Sequence, residues 1–374
     1  MMKNYIAVGV VAAAIILILA VCPVSAVPVN LPVSVPVQIT SDSHYERNPS
    51  VLEADNGMWW LFYTRGRDDR GVRSNDYNPD LDYYDIYYRV ARTKEGLMTA
   101  QDHKVPGNYP DNAQRDVSAI KTGDGTIWVF TSTGLGPGVD RSAYYYRYDR
   151  SGWSGPVIVP GTNYAAHVNA VTDGDKIFIF YDVGYNLNVT VYRNQQWSDP
   201  VLVTTDATIG KGLSDRGVLY VVWSHIVESD NVWGDWIGLS VSHDKGLSWQ
   251  SYDRIAAWPG ATNWDPALIK GTKVFKLFFA PDTGNGGQFI AMSSSNNPVD
   301  TASWSVPIRV TTAQYGLNSW WDFWPDPLGI AEGHTTVVDL FYTSERNRAG
   351  TKMTDANIWM MRVIPSIGGN ELNR

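Results

Sequence analysis

The hexapeptide MWWLFY at residues 58–63 returns five more times along the chain, altered in detail but not in character. The copies are TIWVFT (126–131), KIFIFY (176–181), VLYVVW (218–223), VFKLFF (274–279) and VVDLFY (337–342). Each run is continuously apolar rather than alternating, which predicts a strand covered on both faces. The runs are short, rich in β-branched and aromatic residues, and mostly preceded by turn residues, so a helix is disfavoured.

Working outward from these runs gives a repeating unit. A shorter strand lies upstream of each: NPSVLEA (48–54), DVSAIKT (116–122), HVNAVTD (167–173), DATIGKG (206–212), DPALIKG (265–271) and DPLGIAE (326–332). Turns such as DNG at Asp55 and GDG at Gly123 join the two strands into hairpins. The third residue of these first strands is usually small (Ser50, Ser118, Asn169, Thr208, Ala267), as expected of strands crowded round a common axis. Third strands follow, for example SAYYYRYD (142–149) and IWMMRV (358–363). Fourth strands follow in several units, at Pro156, Pro200 and Pro307.

Four-stranded units in tandem predict an all-β protein, a six-bladed β-propeller of four-stranded antiparallel blades. The last unit ends after three strands, while an orphan PVQIT (36–40) precedes the first and matches the fourth-strand copies. The N-terminal strand is therefore expected to complete the last blade. The domain expectation is a signal peptide or N-terminal anchor over 1–26, a linker over 27–34, the propeller over 35–365 and a C-terminal tail over 366–374.

Between the third and fourth strands of blade four lies SHDKGLSW (242–249). This Ser-x-Asp-x-Gly-x-Ser-Trp pattern resembles the Asp-box, the bacterial neuraminidase repeat. It makes sense as a hairpin lock in which Asp244 accepts backbone N–H bonds, Gly246 takes positive φ and Trp249 folds back. Degenerate echoes stand at DRSGW (149–153), RNQQW (193–197) and DTASW (300–304). The chain thus resembles the sialidase-type six-bladed propellers over residues 35–365.

Propeller topology gathers the first-strand starts and the loops between second and third strands on one face. The first-strand starts read as Asn48, Asp116, His167, Asp206, Asp265 and Asp326, a polar ring at the channel mouth. Each alone reads equally well as a turn cap. Opposing carboxylates across a pocket are what glycosidic cleavage needs, so Asp116, Asp265 and Glu345 are candidate catalytic acids. The resemblance implies further roles. Arg47-Asn48-Pro49 matches the family's Arg-x-Pro motif, Asp68 or Asp69 stands where its acid/base aspartate is found, and Tyr342 where its nucleophilic tyrosine is found. Glu228 is the candidate partner of that tyrosine. Tyr63, in FYTRGRDD, has the same local pattern as Tyr342 in FYTSERN. The chain departs from the family at its arginine triad, because only Arg47 falls where one is expected; Arg346 could reach inward only by another route.

The stretch SWWDFWPDP (319–327) leads into the first strand of blade six. Trp321 and Trp324, with Trp264 before Asp265, are expected to stack on the apolar faces of pyranose rings while carboxylates accept bonds from the hydroxyls. Arg47, His167, Asp326 and Arg346 are expected positioning groups. The same tryptophans could instead wedge between blades.

Acidic residues outnumber basic ones, 38 to 30, for a net charge of −8, and no basic run occurs, which argues against nucleic acid or anionic lipid as partner. Lys3, the apolar run that follows it and the small residues Val24 and Ala26 read as a secretory leader, placing the protein outside the cell or on its surface. If the segment is retained, it is the one expected membrane contact. Cys22, the single cysteine, lies within that segment, so no disulfide is expected in the propeller. The six histidines show no metal-ligand spacing. No cofactor is expected, and oxygen-only sites leave Ca²⁺ open. The expected partner is a carbohydrate or glycoconjugate, met either by a glycoside hydrolase or by a non-catalytic glycan- or cell-surface-binding propeller.

Overall fold

The computed structural model describes residues 33–41, 44–66, 84–107, 113–134, 141–227, 232–284, 287–312, 321–332, 335–346 and 356–364. They form a six-bladed β-propeller in which each inner strand packs against the inner strands of its two neighbours. Blade one comprises Glu46–Glu53, Trp59–Gly66, Tyr84–Ala91 and His103–Lys104; blade two comprises Ala113–Lys121, Ile127–Gly134, Ala143–Asp149 and Gly152–Ile158. Blade three runs through Ala166–Asp173, Lys176–Val183 and Asn186–Arg193 to an outer edge split into Gln196–Trp197 and Val201–Thr204. Blade four comprises Ala207–Asp215, Val218–Val227, Val232–Ser242 and Gln250–Ala256; blade five Thr262–Lys270, Phe275–Asp282, Ala291–Ser295 and Ile308–Arg309. Blade six has Asp322–Glu332, Thr335–Ser344 and Asn357–Val363, and its fourth strand is Val37–Gln38 from the other end of the chain. Val37 pairs with Met360 and Gln38 with Trp359, so the ring closes as the orphan strand predicts. Residues 1–32, 67–83 and 365–374, with the segments expected to be a leader and a tail, lie outside the described residues.

The recurrent apolar runs are the second strands, and their middle residues are sealed on both faces: Leu61, Phe62, Val129, Phe130, Phe180, Val221, Leu277 and Leu340 have no exposure. Three of the tryptophans that follow the third strands wedge between blades. Trp153 meets Phe62, Trp197 meets Phe130 and Trp249 meets Phe180, each edge-on, with ring centroids 6.2, 6.3 and 5.7 Å apart. In each pair the tryptophan stands on the outer strand of one blade or in the turn leading to it, and the phenylalanine on the second strand of the blade before. At 242–249 the turn is cross-bonded as its sequence implies. Asp244 accepts the Ser248 N–H at 2.9 Å, the Ser248 hydroxyl at 2.6 Å and the Ser242 hydroxyl at 2.8 Å. These donors hold its carboxyl down at about 2.

The inner strands are stitched to one another by side chains at a single register. Ser50 Oγ accepts the Ala119 N–H (2.9 Å), Ser118 Oγ the Ala170 N–H (3.0 Å), Asn169 Oδ1 the Gly212 N–H (2.8 Å) and Asp326 Oδ2 the Val51 N–H (2.8 Å). Four of the six seams are bonded this way. At the seam between blades five and six the acceptor position is Ala267 and the donor position is Pro327, so both halves of the bond are missing together. At the seam between blades four and five the acceptor position is Lys211, which cannot accept.

Ser118→Ala should therefore strand the buried Ala170 N–H and lower stability by about 1–3 kcal/mol. Ala267→Ser, which faces a proline, should gain nothing. Urea unfolding of both variants checks the pair, and a stabilised Ala267→Ser would contradict the seam assignment.

Candidate functional site

Every inner strand carries one bulge residue at positive φ: Asn48 (53°), Asp116 (53°), His167 (49°), Ile209 (54°), Asp265 (52°) and Trp324 (49°). Each coincides with a register shift against the second strand. Because all six blades share it, the strained backbone belongs to the ring rather than to one catalytic residue. The bulge re-aims these side chains toward the hub. It also corrects the register read from sequence. In blade four the equivalent position is Ile209, not Asp206, and in blade six it is Trp324, with Asp326 one row deeper among the seam acceptors. The pair Asp326-Pro327 looks like the Asp265-Pro266 of blade five, but the matching pair is Trp324-Pro325.

A small cavity opens at the hub, its polar lining including Asn48, Asp116, His167, Asn169, Lys211 and Asp326, with Trp324 and Ile209 among its apolar walls. Asp116 accepts from Asn48 Nδ2 at 2.6 Å and from the Ser132 hydroxyl at 3.2 Å. His167 is oriented by Asp182, whose Oδ1 lies 2.9 Å from Nδ1, and by the Thr208 hydroxyl at 3.2 Å. Lys211 reaches across the hub from blade four and donates to the Pro325 carbonyl at 2.9 Å.

The electrostatics follow from three carboxylates sharing one ammonium. Burial pushes Asp326 up to about 6, against the pull of Lys211 and the Val51 N–H. Asp265, only 4% exposed, is likewise pushed up to about 6 by burial, against the pull of Lys211, the Trp324 N–H and His167. Burial lowers Lys211 from the usual lysine range, while Asp326, Asp265 and Asp116 raise it.

Of the residues expected from sequence, the cavity brings together Asp116, His167, Trp324 and Asp326. Asp265 stands behind Trp324, accepting its backbone N–H at 3.3 Å. Arg47 is buried beside them, its guanidinium clamped between the Tyr84 and Trp324 rings at 4.4 and 4.7 Å. Trp321 is half-buried against the same aromatic cluster, and Trp264 is half-buried without lining the cavity.

Tyr342, Glu345 and Arg346 are placed elsewhere, in the packed interior of blade six. Tyr342 has no exposure, and burial with the nearby Asp322 pushes its phenol far above the usual range. Arg346 donates to the Tyr342 hydroxyl at 2.9 Å and to Asp322 at 3.2 Å, and stacks over Trp359. Glu345 also has no exposure and accepts from the Tyr45 hydroxyl at 3.4 Å. Tyr63 repeats the arrangement in blade one. It is sealed, donates to Asp102 at 2.6 Å and accepts from Arg65 at 3.0 Å. The tyrosine pattern is thus a feature of the repeat. Asp68, Asp69 and Glu228 lie outside the described residues. Among the described residues no group of three or more His, Cys, Asp or Glu side chains is arranged to hold a metal ion.

Lys211 and Asp182 were not singled out from the sequence, and Asn48 was read only as a member of the polar ring. Lys211 carried a legible signal, a long cationic side chain in the row that other blades give to Ser, Asn or Ala, but reading it required the correct register.

No family model matches the sequence, and no curated protein matches it. Solved structures do match in fold. A protein of unknown function from Dyadobacter fermentans superposes with a TM-score of 0.62 at 14% identity, over 89% of this chain and 99% of that one. Trypanosoma rangeli sialidase in complex with sialic acid superposes with a TM-score of 0.59 at 10% identity, over 92% of this chain and 60% of that one. The catalytic domain of a Coprinopsis cinerea GH62 α-L-arabinofuranosidase reaches a TM-score of 0.49 at 11% identity, over 90% and 97%. The first two likenesses show the same fold, a β-propeller.

A carboxyl whose folded pKa lies above its unfolded value contributes stability below the unfolded pKa, and this is lost as pH rises through the folded one. Asp265→Asn should therefore raise the Tm at pH 7.5 and leave it nearly unchanged at pH 4. The shift from 3.8 to about 6 bounds the gain at about 3 kcal/mol. Thermal unfolding across pH 4–8 measures it, and a loss of Tm at pH 7.5 would show that the Lys211 ion pair outweighs burial.

Proposed function

We propose that the protein is an exported, carbohydrate-directed propeller that cleaves a glycosidic bond at the hub cavity. The observation that carries this reading is the placing of two carboxyls, Asp116 and Asp326, with an indole, Trp324, in one cavity. Glycosidic hydrolysis needs one carboxyl to protonate the leaving oxygen and a second to attack the anomeric carbon or activate water. Asp326, held up at about 6 by burial, suits the acid. Asp116 accepts two hydrogen bonds from neutral donors, which suits the carboxylate that stays ionised. Trp324 offers a flat apolar surface for a sugar ring, and His167, fixed by Asp182, positions a hydroxyl. Export rests on the Lys3-led apolar segment, and a glycan or glycoconjugate is the matching partner.

The fold neighbour bound to sialic acid supports a carbohydrate ligand only at the level of the fold. The burial of Tyr342 favours a route through carboxyls over one through a tyrosine nucleophile. It equally favours the second reading, a propeller that binds glycans at the same cavity without cleaving them.

A panel of aryl glycosides separates the two. Under the hydrolase reading at least one is turned over, and Asp116→Asn lowers kcat/KM by roughly 10²- to 10⁴-fold with the Tm unchanged. If every glycoside stays intact while a glycan array binds, the protein is a lectin-like propeller.

The acid must be protonated to act, so kcat/KM should fall as pH rises through about 6, the value to which burial pushes Asp326. Asp326→Asn, which keeps an oxygen for the Val51 N–H, should abolish that limb. A flat profile from pH 5 to 8 would remove Asp326 from the role.

A further inference from the structure

We propose that the hub cavity takes a sugar bearing a protonated amine, and rejects sugars bearing a carboxylate. The inference rests on the carbohydrate reading above and names the class of ligand. Its ground is the balance of acceptors and donors around the cavity.

Asn48 is the decisive residue. It lines the cavity, is only 8% exposed, and its Nδ2 donates to Asp116 Oδ1 at 2.6 Å. That bond fixes the amide orientation, since a carboxylate oxygen needs a donor opposite it. The other end, Asn48 Oδ1, is then a buried acceptor with no partner. A buried acceptor left unmet is costly, and natural proteins keep such groups where a ligand or water completes them. The missing partner is a donor.

The charges ask for the same thing. Asp116 and Asp326 line the cavity and Asp265 stands behind it, against one lining ammonium, Lys211. Lys211 is already committed to the Pro325 carbonyl at 2.9 Å. Arg47 is clamped between Tyr84 and Trp324, Arg346 is held by Tyr342 and Asp322, and Arg65 by Glu46 and Asp102. Among the described residues that line the cavity there is no arginine to form the paired bonds by which one receives a carboxylate. An acidic sugar would meet two carboxyls and an amide oxygen against the single lining ammonium of Lys211. An ammonium brings three donors and a positive charge to that same set.

The test is titration of the purified protein with three oligosaccharides of equal length: a chitosan oligomer, its N-acetylated counterpart and an oligogalacturonate. The amine form should bind at least roughly tenfold tighter than the acetylated form, and the acidic form weakest. Asp116→Asn should erase the difference between amine and acetylated forms. Should that variant fail to fold, salt supplies the same information on the native protein. Raising it from about 0.05 M to about 0.5 M should weaken the amine form and leave the acetylated form unchanged. Equal affinity for amine and acetylated forms, tightest binding of the acidic form, or an amine preference indifferent to salt would each overturn the inference while leaving the carbohydrate reading standing. Failure of all three to bind would overturn that reading itself.

Discussion

Six inner strands crowd one axis, and each bends there at a residue held at positive φ. The bend opens the ladder to the second strand, so the next residues turn their N–H groups toward the neighbouring blade instead. Ser50, Ser118, Asn169 and Asp326 meet those donors across four seams. An unmet buried N–H would be costly at each seam, which makes this stitching the constraint on which the ring depends. Where it is absent, between blades five and six, the sequence omits donor and acceptor together, with Pro327 facing Ala267.

The same constraint shapes the chemistry. Asp326 closes the ring by accepting from Val51, and in doing so places a carboxyl in the hub that water reaches poorly. Lys211 gives up a seam bond and spans the hub to Pro325, bringing the one lining ammonium into a group of three carboxylates. The hub is thereby short of positive charge, which is why burial wins over the Lys211 attraction at both Asp265 and Asp326. Structural closure and a carboxyl pKa raised to about 6 are two consequences of one residue's position.

Aromatic residues are divided between two tasks. Trp153, Trp197 and Trp249 fold back from their hairpins to meet a phenylalanine of the preceding blade edge-on, a packing arrangement renewed blade by blade. Trp324 stands apart, at a bulge position that blade one gives to Asn48 and blade five to Asp265, with Arg47 against its ring. Blades one, two, three and five put a polar group there and blade four puts Ile209, so blade six alone brings an indole ring to the hub.

How much was legible without coordinates follows from the range of each interaction. The blade count, the strand order and the closure by PVQIT were written in the sequence, because apolar runs, turns and the orphan strand are local patterns repeated six times. The lock at 242–249 was legible for the same reason, its bonds joining residues within four positions of one another. Asp116 and His167 could be placed at the hub because each stands just before the apolar part of its strand. What only the tertiary structure decided was the register in blades four and six, where Ile209 and Trp324, not Asp206 and Asp326, occupy the bulge. A bulge inserts a residue without changing the apolar pattern, so sequence alone does not mark it. The burial of Tyr342 and Glu345 was decided there too, since their local pattern is shared with Tyr63 and only the packing of neighbouring blades seals both sites. Lys211 belongs with them. Its partners are contributed by blades two, five and six, far along the chain, and no local reading brings them together.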